Sequence, residues 1–256
     1  MDIFLQADTW IALLTLTFLE IILGIDNIIF ISISANKLPK HQVKKATLIG
    51  LSLAMITRIL LLLSVSYLIA LKNPFYSIDL GWFKTALTGQ SIILFLGGIF
   101  LLYKSTKEIR EKVEKTKEEQ TLKSPKVISF NSVILQIILI DIVFSFDSIL
   151  TAVGMTNGVD GALIIMIIAV IVSILIMMLF SSSISNFVNK NPTIQMLALS
   201  FLILIGFMLI TEGAHLSDTE FFNKTVGVIP KGYLYFAISF SLGVEMLNLK
   251  LRKKKS

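Results

Sequence analysis

The sequence predicts an all-α integral membrane protein with seven transmembrane helices, and three features of its composition indicate this fold class. Of the 256 residues, 55% are hydrophobic and 16% are charged, and the mean hydropathy is +0.83, so the chain lacks the polar surface of a soluble globule. The apolar residues form runs of about 20, enough to cross a hydrocarbon core roughly 30 Å thick. Runs such as ALIIMIIAVIVSILIMMLF are apolar on every face, whereas barrel strands alternate in polarity.

The predicted helices follow from these runs in chain order. The first run is predicted to belong to the mature protein, because MDIFLQAD lacks the basic segment that begins a signal peptide and the run contains carboxylates. After the third run, the charged segment of residues about 105–127 is predicted to be a solvated cytoplasmic linker. The alternative is a short exposed helix, which the pairs Glu108/Lys112 and Glu111/Lys115 would support at i,i+4 spacing. The predicted spans are residues 10–34, 47–71, 88–103, 128–153, 160–182, 193–211 and 231–249.

The fourth predicted span repeats the first, as FLEIILGIDNIIF (18–30) and LIDIVFSFDSILT (139–151) indicate. The third and sixth spans match more weakly, through LFLGGIFLLYK and LILIGFMLITE. With three spans in each half, the second copy enters the membrane from the opposite side, which is typical of the inverted repeats of secondary transporters. The aligned pairs are Glu20 with Asp141, Gly24 with Ser145, Asp26 with Asp147, Asn27 with Ser148, Gly98 with Gly206 and Lys104 with Glu212.

The repeat predicts one membrane domain over residues 1–256. It comprises a first repeat at about 8–104, a second repeat at about 128–212 and a seventh helix at about 231–249. The architecture is therefore a 3+3 inverted-topology repeat followed by a C-terminal helix.

Lysine and arginine residues predict that the N-terminus faces outside and the C-terminus faces the cytoplasm. Short loops rich in these residues stay in the cytoplasm, and most of the 23 basic residues fall in the first loop, the linker and the tail KLRKKKS. The net charge of +6 is thus mainly a topology signal. The basic tail is also expected to contact anionic lipids of the bilayer. The net charge does not predict nucleic-acid binding.

Four carboxylates in two predicted spans are the main functional signal: Glu20, Asp26, Asp141 and Asp147. Each costs several kcal/mol at bilayer depth, so each must face protein, water, a counter-charge or an ion. Arg58, in the second span, neutralises at most one of them. The excess negative charge suits a divalent cation, protons, or both in turn. The structural alternative is that the acids only form interhelical hydrogen bonds or ion pairs.

Helix geometry separates these acids into two sets. Residues seven apart lie on one face but differ in height by about 10 Å, too far for one ion with metal–oxygen distances of roughly 2–2.5 Å. Either the helices break at Gly24 and Ser145, or the carboxylates form successive stations; we expect breaks, as transporters often have them. The predicted central metal site is Asp26, Asn27, Asp147 and Ser148, flanked by Glu20 and Asp141 as possible proton carriers. Possible counter-ions or gating groups are Arg58, Lys104, Glu212 and Glu245.

The candidate ligands are carboxylates, an amide and a hydroxyl, which suit magnesium, calcium or manganese rather than soft metals. The chain has no cysteine, so thiolate ligation is excluded. The divalent ion is expected to be the substrate, and no organic cofactor is predicted.

Four motifs resemble the TerC family of integral membrane proteins: LEIILGIDNIIF, DIVFSFDSILTAVG, MLALSFLILIGFMLI and PKGYLYFAISFSLGVEMLNL. The resemblance runs from about Trp10 to Leu249. It implies a seven-helix protein of the bacterial inner membrane, related to the LysE-type exporters, with members that export manganese and others named for tellurium resistance. It also implies a metal role for the acidic pairs and their polar neighbours, which are Glu20, Asp26, Asn27, Asp141, Asp147 and Ser148 here. Manganese export is therefore the expected function.

Other functions stay open at this point. A membrane partner that hands metal to secreted enzymes needs the same acidic site as an exporter. An intramembrane aspartyl protease needs two acids that share a proton, but Gly24-Ile25-Asp26 and Phe146-Asp147 do not match its motifs. A retinal protein needs a lysine in the last span, which has none at mid-membrane. We therefore expect a transporter and no enzymatic activity.

Overall fold

The computed structural model describes residues 5, 7–118, 129–156, 159 and 161–255, without the side chains of Ile25, Asp26, 115–118 and 252–255. Helices dominate. The helices are α1 (Ala7–Ala35), α2 (Lys40–Leu63), α3 (Val65–Ala70), α4 (Gly89–Glu118), α5 (Phe130–Met155), α6 (Ala162–Lys190), α7 (Pro192–Leu216) and α8 (Lys231–Lys255), and the strands are β1 (Pro74–Asp79), β2 (Phe83–Thr88), β3 (Glu220–Phe221) and β4 (Lys224–Thr225).

Six helices within the described residues are long and apolar enough to cross a membrane: α1, α2, α5, α6, α7 and α8. These agree with an all-α membrane protein. A long helix also covers the predicted third span, but α4 is not among the six. The count of seven membrane spans therefore stays a prediction.

Two sequence-based boundaries differ from the structure. The second predicted span divides at Ser64, whose backbone N–H caps α2 by bonding to the carbonyls of Leu60 and Leu62. The first part of the predicted linker is helical, because α4 continues to Glu118. An ion pair between Lys104 and Glu108 at 2.9 Å supports this extension at i,i+4 spacing. Linker residues 119–127 lie outside the described residues.

The predicted helix breaks at Gly24 and Ser145 are wrong, since α1 and α5 run through both positions without interruption. Gly24 instead allows close packing, because a Cβ there would collide with Met177 of α6. Ser145 directs its hydroxyl to Asp141, one turn earlier on α5. Small residues at these positions thus serve packing and hydrogen bonding, and the helices keep their straight-helix spacing.

The chain forms two compact units that each draw on both halves of the sequence. One unit comprises residues 1–69 and 126–190, and the other comprises residues 70–125 and 191–256. In the first unit α1 packs on α6 and α2 packs on α5. Exchanging the two predicted repeats leaves this pairing scheme unchanged, which is the packing that an inverted repeat would give. The repeat itself stays a prediction.

In the second unit α4 packs on α7 through two glycines that the sequence aligned. A Cβ on Gly98 would lie 2.6 Å from the carbonyl oxygen of Gly206, and one on Gly206 would lie 3.0 Å from the carbonyl oxygen of Gly98. The side-chain neighbours are also equivalent, since Gly98 meets Ile210 and Gly206 meets Leu102. Without side chains at the crossing, the two backbones approach closely, as at other small-residue contacts between membrane helices.

The same unit contains a four-stranded antiparallel sheet that the sequence did not predict. Its strand order is β1-β2-β3-β4, and Phe83 of β2 pairs with Phe221 of β3. Phe222 and Asn223, with φ of 51° and 59°, form the two-residue turn between β3 and β4, where both central residues adopt positive φ. The sheet joins the loop before α4 to the loop after α7.

Candidate functional site

The buried charges of the first unit come from three helices that pack together. Glu20 lies on α1, Arg58 on α2, and Asp141 and Asp147 on α5. All four side chains are buried, with Arg58 2% and Asp147 7% exposed. Within the described residues of this unit, the buried carboxylates therefore outnumber the buried cations by three to one.

Arg58 binds two carboxylates at once. Its Nη1 lies 2.5 Å from Glu20 Oε2, while Nη2 and Nε lie 3.0 Å and 3.3 Å from Asp141 Oδ1. The guanidinium is suited to this bridge because its fixed fork of donors contacts two anions in different directions. The two acids are the pair that the sequence aligned between the first and fourth predicted spans. Arg58 is thus their shared counter-ion.

Asp141 has partners for both of its carboxylate oxygens. Besides Arg58, Oδ1 accepts a hydrogen bond from Asn27 Nδ2 at 3.3 Å. Ser145 Oγ donates to Oδ2 at 3.2 Å. Thr57 Oγ1 also lies 3.2 Å from Oδ2, although the Ala54 carbonyl, at 2.9 Å, competes for the same hydroxyl proton. This saturation suits a fixed anchoring carboxylate more than a metal ligand.

Asn27 has one occupied end and one open end. Because only Nδ2 can donate to Asp141, the contact fixes the orientation of the amide and leaves Oδ1 pointing away from that carboxylate. Oδ1 is buried, and no described residue donates a hydrogen bond to it. A buried acceptor without a donor costs about 1–3 kcal/mol, and an amide oxygen is also a ligand for hard cations. The Asn27 amide oxygen is therefore available to accept a further partner.

Two other predicted central residues, Asp147 and Ser148, lie on α5, six and seven residues after Asp141. This separation raises Asp147 about 9 Å along the helix axis, so the two acids are at different depths. Ser148 is buried, and its hydroxyl donates to the Ser145 carbonyl at 3.2 Å, which leaves its oxygen lone pairs available as acceptors. Asp26 belongs to α1, but its side chain lies outside the described residues. Within the described part, no three acidic or histidine side chains gather closely enough to hold a metal by themselves.

The comparisons with known proteins give the family of this chain. Residues 5–256 match the model of the integral membrane protein TerC family. The chain belongs to the TerC family. It is 45% identical over 249 residues to the UPF0053 inner membrane protein YgdQ of Escherichia coli K12, covering 97% of this chain and 95% of the relative. No solved structure gives a significant match.

Two further relatives place this TerC protein among chains of different length. It is 41% identical to a UPF0053 protein of Haemophilus influenzae, with 96% of this chain and 95% of the relative covered. It is 40% identical to the UPF0053 inner membrane protein YoaE of Escherichia coli K12, where the match covers 99% of this chain and 45% of the relative. Some relatives of this TerC protein thus extend well beyond the matched region.

The remaining predicted counter-ions of this TerC protein lie in the second unit. Lys104 pairs with Glu108 on α4, and Glu108 is 2% exposed. Glu245 Oε2 accepts from Asn248 Nδ2 at 3.4 Å on α8. Glu212 lies on α7. The structure therefore gives Lys104 and Glu245 partners on their own helices.

The Arg58 cluster consists of Arg58 and the residues that contact it or Asp141, which are Glu20, Asn27, Thr57, Asp141 and Ser145. Two of these residues were missed or misinterpreted from the sequence. Thr57 was missed, since a threonine within an apolar span gives no signal of its own. Ser145 was interpreted as a helix break, although its i,i+4 spacing from Asp141 already placed both on one face. That spacing is the signal that identifies the hydrogen bond.

Proposed function

We propose that this TerC family protein is an inner-membrane transporter that exports a divalent metal ion, with Mn²⁺ as its substrate. The excess of buried carboxylates over cations in the first unit carries the proposal. Among the described side chains, Glu20, Asp141 and Asp147 against Arg58 give a formal charge of −2 when all are ionised, and such an excess of negative charge suits a divalent cation. Ionisable side chains at bilayer depth are costly and mark ion or substrate pathways.

The proposed ligands are the second carboxylate of each acidic motif and the polar residue that follows it. Asn27 offers a buried amide oxygen without a donor, and Asp147 and Ser148 offer a carboxylate and a hydroxyl on α5. We assign Asp26 to the same set because it precedes Asn27 as Asp147 precedes Ser148. Oxygen ligands of these kinds select hard divalent cations, and the resemblance of the motifs to the manganese exporters of the family favours Mn²⁺ among them.

The first carboxylate of each motif has a different role in this proposal. Glu20 and Asp141 share Arg58, and Asp141 holds the Asn27 amide with its oxygen away from the carboxylate. These groups therefore position the ligands and keep the site negative. Glu20 contacts Arg58 through one oxygen, so it is the better candidate for carrying a proton during transport.

The inner-membrane location is supported by the description of YgdQ and YoaE as inner membrane proteins and by the six apolar helices. The orientation with the N-terminus outside follows from the distribution of lysine and arginine. Export from the cytoplasm follows from the family resemblance alone.

Flux measurements in liposomes test the proposal. The purified protein is reconstituted around a manganese-sensitive dye, with and without a pH gradient. Wild-type protein and an Asp79→Asn control, which changes an exposed acid of β1, are expected to move Mn²⁺. Asp147→Asn is expected to reduce flux to that of empty liposomes while the amount of reconstituted protein stays normal. Equal flux in Asp147→Asn and wild type would refute the assigned site, whereas metal binding without flux in wild type would favour delivery of metal to a partner.

A further inference from the structure

A polar cavity separate from the acidic site lies within the first unit, between the beginning of α2 and the second half of α6. Its volume is about 250 Å³. Two of its lining side chains are apolar and the rest are polar, with no acid among them. The lining residues are Lys40, Val43, Lys44, Thr47, Leu48, Ser181, Ser182, Ser185 and Asn186.

The charge of this cavity is positive and unbalanced. Lys40 and Lys44 are four residues apart, which places both ammonium groups on the same face of α2, where like charges repel. Among the described residues, neither ammonium forms an ion pair within 4.0 Å. The cavity thus gathers two cations without providing an anion.

The hydrogen-bonding groups have the same preference. Thr47 and Ser181 donate their hydroxyl protons to the carbonyls of Val43 and Met178. The donors left for a guest are the two ammonium groups, the Asn186 amide and the hydroxyls of Ser182 and Ser185, since Ser185 Oγ acts as an acceptor towards Ser32 and Asn189. The first turn of α2 adds no acid, and its Pro39 cap makes no side-chain hydrogen bond to the free N–H groups. Such a lining repels metal ions and attracts an oxyanion.

We propose that this cavity binds a phosphate group, carried either by an anionic lipid headgroup or by free inorganic phosphate. Phosphate presents several oxygens and at least one negative charge to two lysines. The predicted topology places this end of α2 at the cytoplasmic leaflet, where anionic headgroups are concentrated near basic residues. The proposal does not depend on metal transport, since Lys40 and Lys44 are not in the acidic site.

A charge-matched pair of double variants tests the site. K40Q/K44Q removes the two lysines that line the cavity, whereas K37Q/K45Q removes two lysines from the same end that do not line it. Native mass spectrometry of the intact detergent-purified proteins measures adducts of phosphatidylglycerol and of phosphatidylcholine, and thermal shift measures binding of inorganic phosphate. Monodisperse elution in size-exclusion chromatography checks that each variant is folded.

The expected result is a loss of about tenfold or more in affinity for K40Q/K44Q, because each lysine near an anionic group contributes several-fold, with little change in K37Q/K45Q. Selective loss of the phosphatidylglycerol adduct identifies a lipid headgroup, and selective loss of the phosphate-induced shift identifies free phosphate. Equal losses in both double variants, or no binding of either probe by wild type, would overturn the proposal and leave these lysines as general topology determinants.

Discussion

Replacement of Arg58 by methionine tests the central structural claim, that one guanidinium compensates two buried carboxylates. The change removes the 2.5 Å contact with Glu20 and both contacts with Asp141, while the methionine side chain approximately fills the volume. It takes the formal charge of these three side chains from −1 to −2. Removing one partner of a buried ion pair costs about 3–5 kcal/mol, so we expect a loss of that size in the free energy of unfolding.

The triple variant E20Q/R58M/D141N is the matched control. It removes the same cation together with both of the acids that bind it, so neither Glu20 nor Asp141 is left as a carboxylate without its cation. Replacing a complete buried ion cluster by neutral groups is often close to neutral in stability, and we expect the triple variant to recover most of the loss. Unfolding in dodecyl maltoside micelles titrated with sodium dodecyl sulfate measures these differences.

Two outcomes would refute this reasoning. An unfolding free energy of R58M within about 1 kcal/mol of wild type would mean that Arg58 does not compensate the acids, since exposed ion pairs contribute that little. A triple variant as unstable as R58M would mean that the arginine side chain stabilises the fold by packing and not by its charge.

Three further predictions concern packing, orientation and the open amide. Gly98→Ala is expected to lower the free energy of unfolding by about 1–3 kcal/mol, because its methyl group would meet the α7 backbone. Gly232→Ala, in open space, is the control and is expected to be neutral. Equal stabilities of the two variants would contradict the close crossing of α4 and α7. Ser77→Cys in the exposed β1 strand is expected to react with an impermeant thiol reagent in spheroplasts and His41→Cys only after permeabilisation, and the reverse pattern would invert the orientation. Asn27→Leu is expected to raise the Mn²⁺ concentration for half-maximal flux by about tenfold or more, and an unchanged value would remove Asn27 from the ligand set.

Hydropathy predicted the positions of the long helices because each apolar run must be buried or face lipid. It did not predict the sheet, since the pairing of Phe83 with Phe221 joins two loops far apart in the chain. The strands β3 and β4 have two residues each, which is too short to show a period. The extension of α4 was the less favoured alternative for a different reason. Charged residues were interpreted as a linker, although Lys104 and Glu108 form a buried ion pair and such pairs stabilise a helix outside an apolar run.

The sequence located the acids of the site but not their partners. Arg58 was predicted to neutralise one acid at most, and the structure shows it in contact with both Glu20 and Asp141. That contact depends on the register of α2 against its neighbours, which packing sets. At Gly50 of α2, for example, a Cβ would lie 3.0 Å from Ile137 of α5, and a shift of one residue along α2 would turn Arg58 away from the acids. A single sequence carries no direct signal for such a register.

Because the helices are unbroken, the two carboxylates of each acidic motif have different roles in the proposed transport. With a break at Gly24 or Ser145, all four acids would be close enough to surround one ion, and each would be a ligand. On straight helices the acids lie at two depths. At one depth Asp141 has partners for both oxygens, and at the other Asp147 and Ser148 lie on α5. Asn27 connects the two levels, with one end bound to Asp141 and the other open. We therefore expect a change in the charge of the Arg58 cluster to reorient or release this amide at the proposed metal site.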